Sequence, residues 1–180
     1  MQLTYRKAAL VAGMLVLSSS VLAASTPFLP LALPNAWVPP GWMEVPAKSP
    51  GGPDMVEGKA ALVRDGRTVG ALQLMIVRYG SPLTIAEAMK RMIAGEQQAA
   101  QARNAHVDGS PTESDTWRGR PALKTDMSIS QAAKAFRQRI VMTQTSDHVI
   151  CIVTFSSATN DFDPYVGELE AAKRQVKCPG

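Results

Sequence analysis

The chain has 180 residues, 46% of them apolar and 19% charged, with 19 Lys/Arg against 15 Asp/Glu for a formal net charge of +4. Two of the bases, Arg6 and Lys7, belong to an N-terminal leader, so the remaining 157 residues carry 17 bases against 15 acids, net +2. No Lys/Arg cluster able to neutralise several phosphates is left, so nucleic-acid binding is not expected. A chain of this length suffices for one domain burying roughly 70% of its unfolded surface.

The leader reads as basic Met1–Lys7, apolar Ala8–Leu17, then Ser18–Ser20 and the small-residue motif Val21-Leu22-Ala23. That order is a secretory signal peptide cleaved after Ala23, so residues 1–23 are removed from the mature protein. The apolar run is too short for a membrane span, and no cysteine at the cleavage site offers a lipid anchor. The mature protein is therefore expected to be exported to the periplasm, with no stable membrane insertion.

Residues 24–36 contain Pro27, Pro30 and Pro34 among Phe28, Leu29, Leu31 and Leu33. They read as an extended, unusually apolar arm that must pack on its own domain or on a partner. From there 37–180 is expected to form a single α+β domain. Trp42 reads as core, whereas Trp37 suits core or surface equally. Met43–Val45 is a short first strand, and Pro46–Asp54 is a loop by composition. Met55–Val63 and Thr68–Val77 flank Arg64-Asp65-Gly66-Arg67, a strong hairpin signal. Thr84 and Glu87 make a capping box for a helix running to about Arg103, with Ile85, Met89, Met92 and Ile93 as its apolar stripe.

Four strands are expected next. The first, Thr112–Trp117, turns at Arg118-Gly119 into Pro121–Ile129, whose alternation leaves Lys124, Asp126 and Ser128 outward. Ala135–Gln144 follows, with Phe136, Ile140 and Met142 on one side and Arg137 and Arg139 on the other. The fourth, Val149–Phe155, is apolar on both faces and belongs in the centre of its sheet. Ser156–Asn160 reads as a turn, and Asp163-Pro164 as the start of a closing helix. Its stripe of Tyr165, Leu169, Ala172 and Val176 has the preceding strand to pack against. Cys151 to the strand end is roughly 17 Å at strand rise. Returning along Pro164–Val176 is roughly 18 Å at helix rise. The two sulfurs come out close together, so an oxidising compartment favours a Cys151–Cys178 disulfide over a buried Cys151 and a free Cys178.

In this order the segments resemble the PsbP/DcrB/Mog-type superfamily, as a periplasmic DcrB-like member. The likeness lies in Pro40-Gly41-Trp42, the helix capped by Thr84 and Glu87, and Trp117-Arg118-Gly119-Arg120-Pro121-Ala122. It continues through Phe136-Arg137-Gln138 and the pattern Val153–Leu169, covering most of Pro40–Val176. The resemblance implies an antiparallel sheet with helices on both faces. It also implies a binding module, since members are mostly non-enzymatic: photosystem assembly factors, a Ran-binding factor, envelope proteins and chaperones of type VI secretion effectors. Neither the cysteine pair nor the leader comes from the resemblance.

The residues themselves offer little chemistry. His106, beside a turn at Asp108-Gly109, and His148 stand far apart, and no His-x3-His or Cys-x2-Cys spacing exists, so no metal site is expected. Asp161 and Asp163 lack the ladder and closing glutamate of a calcium loop. Phosphate-loop, dinucleotide and nucleophile-elbow motifs are absent from the sequence, and a Cys151/His148 nucleophile pair fails because residues three apart on a strand face opposite sides. No enzyme and no cofactor are expected. Surface remains: Trp37 and the turn arginines Arg64, Arg67, Arg118 and Arg120 are the candidate partner-binding residues, against the alternative of ordinary solvated turns. The expected function is a periplasmic immunity protein or inhibitor of a secreted, type VI-like toxin, acting by binding another protein. A carrier of a small apolar or lipidic ligand, suggested by Met75, Met89, Met92 and Met127, is the alternative, with an envelope assembly factor as a third.

Overall fold

The structure is a computed structural model, and it describes residues 31–35, 37–46, 54–132 and 134–178. The leader, residues 24–30 and 36 of the arm, and residues 47–53 of the proline-rich loop lie outside the described residues.

Among the described residues, eight strands form one antiparallel sheet. They are β1 (Trp42–Val45), β2 (Met55–Arg64), β3 (Arg67–Arg78), β4 (His106–Gly109), β5 (Glu113–Trp117), β6 (Arg120–Gln131), β7 (Lys134–Ser146) and β8 (Val149–Ala158). Helix α1 (Ile85–Gln101) interrupts the strands and α2 (Thr159–Gln175) closes the described chain. The order across the sheet is β1-β2-β3-β8-β7-β6-β4, with β5 also on β6. The fold class is therefore α+β, as expected, and β8 lies mid-sheet between β3 and β7.

Local chemistry sets the joints. Asp65 and Gly66, at φ 50° and 75°, turn β2 into β3 with both central residues left-handed, the geometry that matches strand twist. At the start of α1, the Thr84 hydroxyl accepts the Glu87 N–H at 3.2 Å while Glu87 accepts the Thr84 N–H at 3.0 Å, completing the capping box.

The two-sided apolar pattern of β8 matches the layering. Ile150 and Ile152 pack with Leu83, Ala88 and Met89 on the α1 side. Cys151, Val153 and Phe155 pack with Phe162, Leu169, Ala172 and Val176 on the α2 side. Cys151 and Cys178 are bonded, with Cα atoms 6.0 Å apart.

Two expectations are corrected. His106–Gly109 is a strand, not part of a turn: β6 is long enough to pair with β4 at one end and β5 at the other. Between them Ser110 is tied to β6, its N–H on the Asp126 carbonyl at 2.8 Å and its carbonyl accepting the Thr125 hydroxyl at 3.0 Å. A wet, polar edge strand carries no apolar alternation to betray it. The second correction is α2, which starts at Thr159 directly off β8 and holds Pro164 inside. Phe162 is fully buried, its ring 5.7 Å from that of Phe155, so the helix must begin early enough to aim Phe162 at the sheet. Pro164 then has no N–H to donate to the preceding turn, and its ring crowds the carbonyl four residues back. Asp163 is not the cap; it accepts from Arg137 at 2.8 Å.

Candidate functional site: a basic recess at the β5–β6 turn

The arginines singled out by the sequence divide into two pairs with different tasks. Arg64 and Arg67 flank the β2–β3 turn and fasten it to α2. Arg64 Nη2 donates to Glu168 at 2.9 Å, and both Arg67 Nη atoms donate to the Asp161 carboxylate at 2.9 Å each. The bond from Arg67 holds the Asp161 carboxyl below the usual carboxylate range. On the other side of α2, Arg137 pairs with Asp163 and lays its guanidinium 4.2 Å from the centre of the Phe162 ring. Arg139 binds Asp126 through two bonds of 2.6 and 2.7 Å. Helix α2 is thus clasped from both sides, and Arg64 and Arg67 pair at the surface with its carboxylates.

Trp37 is also internal, at 5% exposure. Its indole lies flat on Gly58, where a Cβ would come within 2.6 Å of the ring, and its Nε1 donates to Glu44 at 3.4 Å. Leu31 and Leu33 follow it onto the core, so the described part of the apolar arm packs on its own domain. Trp37 is therefore corrected from a candidate contact residue to a core anchor.

Arg118 and Arg120 are placed differently. Arg118 and Gly119 have φ of 52° and 79°, a tight left-handed turn joining β5 to β6. Trp117, just before it, is buried, and its Nε1 donates to the Val176 carbonyl at 3.3 Å. Arg118 Nη1 donates to the Arg174 carbonyl at 2.7 Å. The turn is thereby bolted to the end of α2, and the disulfide holds Cys178 beside it. These elements enclose an open recess of about 250 Å³ lined by Trp117, Arg118, Arg120, Thr143, Lys177 and Cys178. Three of the six lining residues are cations and none is an acid. Arg118 keeps donors beyond the one given to Arg174, and Arg120 and Lys177 have no partner among the described residues.

Next to it, Lys173 is buried and bonded to Asp115 at 2.5 Å, with Glu170 at 3.1 Å. Burial pushes the Asp115 carboxyl up, but bonds from Lys173 and the Thr116 N–H, with the Lys173 charge, outweigh it and hold the group below its ordinary range. This pair supports the wall of the recess.

Sequence reasoning missed Lys177, Arg174 and Thr143 as neighbours of the turn. The two bases stand at and just beyond the end of α2, and the Trp117–Val176 and Arg118–Arg174 bonds bring that end to the turn. Elsewhere, His106 and Asp108 are 3.1 Å apart in the open, and His148 Nδ1 lies 3.0 Å from the Tyr79 carbonyl. Among the described residues no group of three or more His, Cys, Asp and Glu could hold a metal ion, and no helix is long and apolar enough to cross a membrane. Met89 and Met127 are core side chains. Beside α1 runs a groove of about 370 Å³ lined chiefly by Ala86, Lys90, Ile93, Ala94, Thr112 and Leu123.

No protein-family profile and no curated protein matches the chain. Among solved structures it is similar to cyanobacterial PsbP (CyanoP) of Synechocystis, at 14% identity over 79% of this chain and 84% of that one, TM-score 0.56. It is similar to PA94 of Pseudomonas aeruginosa, a protein of unknown function, at 13% identity over 71% and 85%, TM-score 0.55. The Ran-binding protein Mog1p of Saccharomyces cerevisiae aligns at 9% identity over 76% and 79%, TM-score 0.49. The chain therefore has a PsbP-like fold, in agreement with the fold implied by the resemblance read from its segments.

Proposed function

We propose that this chain is an exported, non-enzymatic protein-binding module of the cell envelope, and specifically a periplasmic immunity protein or inhibitor of a secreted, type VI-like toxin. The observation that carries the reading is the basic recess. Its cations stand on a turn that is anchored by a buried tryptophan, a helix-end carbonyl and a disulfide, so little order remains to be lost on binding. A rigid turn suits occlusion of a partner's cleft, with the basic recess beside it, lined by Arg120 and Lys177, facing the partner. The disulfide and the leader sequence support an oxidising compartment outside the cytoplasm. PsbP- and Mog-type neighbours make a protein partner a natural role for such a scaffold, though fold alone transfers no partner.

Affinity capture from periplasmic extract, followed by reconstitution with the identified partner, tests the reading. A stoichiometric complex that blocks the partner's activity is the expected outcome; recovery of no stoichiometric partner overturns it. The groove beside α1 favours a second reading, a carrier for a small apolar ligand. Native mass spectrometry of freshly purified protein would then show a bound lipid-sized mass, and a clean apo mass dismisses it.

A further inference from the structure

The geometry points to a carboxylate-binding site in the recess at the β5–β6 turn, taking an acidic side chain of a protein partner. This rests on the protein-binding reading and names the chemistry of that contact.

Three observations converge. The lining carries Arg118, Arg120 and Lys177 with no acid, so its potential is positive and uncompensated within the recess. Two carboxylates on the adjoining strand and helix are committed elsewhere: Asp115 and Glu170 are both bonded to Lys173. The neutral lining groups are also spent, since Trp117 Nε1 donates to Val176 and the Thr143 hydroxyl to the Pro121 carbonyl at 2.9 Å. The side-chain donors of the lining left to meet a ligand are therefore cationic.

Size and shape narrow the ligand. At about 250 Å³ the recess falls below the roughly 300–1,000 Å³ of sites that enclose drug-sized molecules. It admits a side chain more readily than an organic cofactor. The planar fork of Arg120 offers two parallel N–H bonds to a carboxylate, and Lys177 adds a point charge from the other wall. The bond from Arg118 to the Arg174 carbonyl orients its guanidinium at the edge of the recess. An Asp or Glu presented on a partner's convex loop meets these requirements.

The test has two arms. In the first, the full mature chain is titrated with an acetylated hexaglutamate peptide, with inorganic phosphate as the competing anion, and followed by amide and indole NMR. Shifts at Trp117, Arg118, Arg120 and Lys177 that weaken with salt are expected for the peptide. Arg120→Ala and Lys177→Ala should each weaken it roughly tenfold. Both sites are exposed, so the fold survives these changes, and an unaltered spectrum away from the recess checks that it has. Peptide shifts elsewhere, or a response to phosphate with none to the peptide, overturns the proposal. In the second arm, Arg120→Glu/Lys177→Glu is used as bait beside the wild type. A partner held by both baits keeps the protein-binding reading and refutes the recess as its contact. A partner held by the wild type alone supports both. If neither captures a partner, the functional reading fails, and the peptide titration judges the recess by itself.

Discussion

Gly70 and Thr154 show how single positions record the packing around them. Gly70 lies in β3 beneath the fully buried Phe155 ring, where an added Cβ would stand 2.6 Å from the nearest ring carbon. The ring has no room to retreat, so Gly70→Ala should destabilise the protein by about 2 kcal/mol in a urea titration. Thr154 is the opposite case. Its hydroxyl is buried in β8 with no hydrogen-bond partner among the described residues. Thr154→Val, which keeps the shape and removes the unpaired group, should stabilise by about 1 kcal/mol and raise Tm. The titrating residues set the acid limit. Asp115, and Asp161 through its bond from Arg67, both have carboxyl groups held below their ordinary range. The unfolded chain therefore binds more protons than the native one as pH drops past the ordinary carboxylate value of about 4. Their stabilisation is complete above that value and is lost as pH falls through the lowered folded-state values. A plot of urea midpoint against pH should fall on the acid side, and Asp115→Asn should flatten that limb; an unchanged slope would refute the assignment.

At the scale of elements, α2 is the most heavily secured piece of the fold. It has Phe162, Leu169, Ala172 and Val176 in the core, arginines gripping it from β2, β3 and β7, and a disulfide just beyond its end. The ion pairs are partly exposed and individually weak. The covalent link is the larger contribution: closing 27 residues of sequence separation is worth about 3–4 kcal/mol in the chain-entropy model. Cys151→Ala/Cys178→Ala should lower the unfolding free energy by that order. It should also loosen Lys177 and so weaken any anion contact at the recess, which the glutamate-peptide titration would register.

Across the whole molecule, stability is expected to be graded from the middle of the sheet outward. β8 is covered on both faces and paired on both edges, whereas β1, β4 and β5 are short and lie on outer edges. Hydrogen exchange should be slowest in β8 and its neighbours β3 and β7, and fastest in β1 and β4. Protection of β4 equal to that of β8 would contradict this ordering. The recess sits beside a short edge strand yet is tied to the core through Trp117 and Cys178, which is how a surface turn acquires rigidity.

Much of this architecture could be read from local pattern. The two-sided apolar run Val149–Phe155 dictated a central strand, Asp65-Gly66 a hairpin, Thr84 and Glu87 a capped helix, and the strand-plus-helix path lengths a Cys151–Cys178 bond. Each depends on residues near one another in sequence, or on rises per residue that hold in any protein. Tertiary structure alone decided the rest. Phe162 moved the start of α2 back to Thr159, ahead of what Asp163-Pro164 suggested, because burying an aromatic ring outweighs the cost of a proline inside the first turns. Arg64 and Arg67 became surface clasps on α2, Trp37 a core anchor, and Lys177 a wall of the recess, since a charge or a ring is spent according to what the fold brings within a few ångströms of it, and no spacing along the chain encodes that distance.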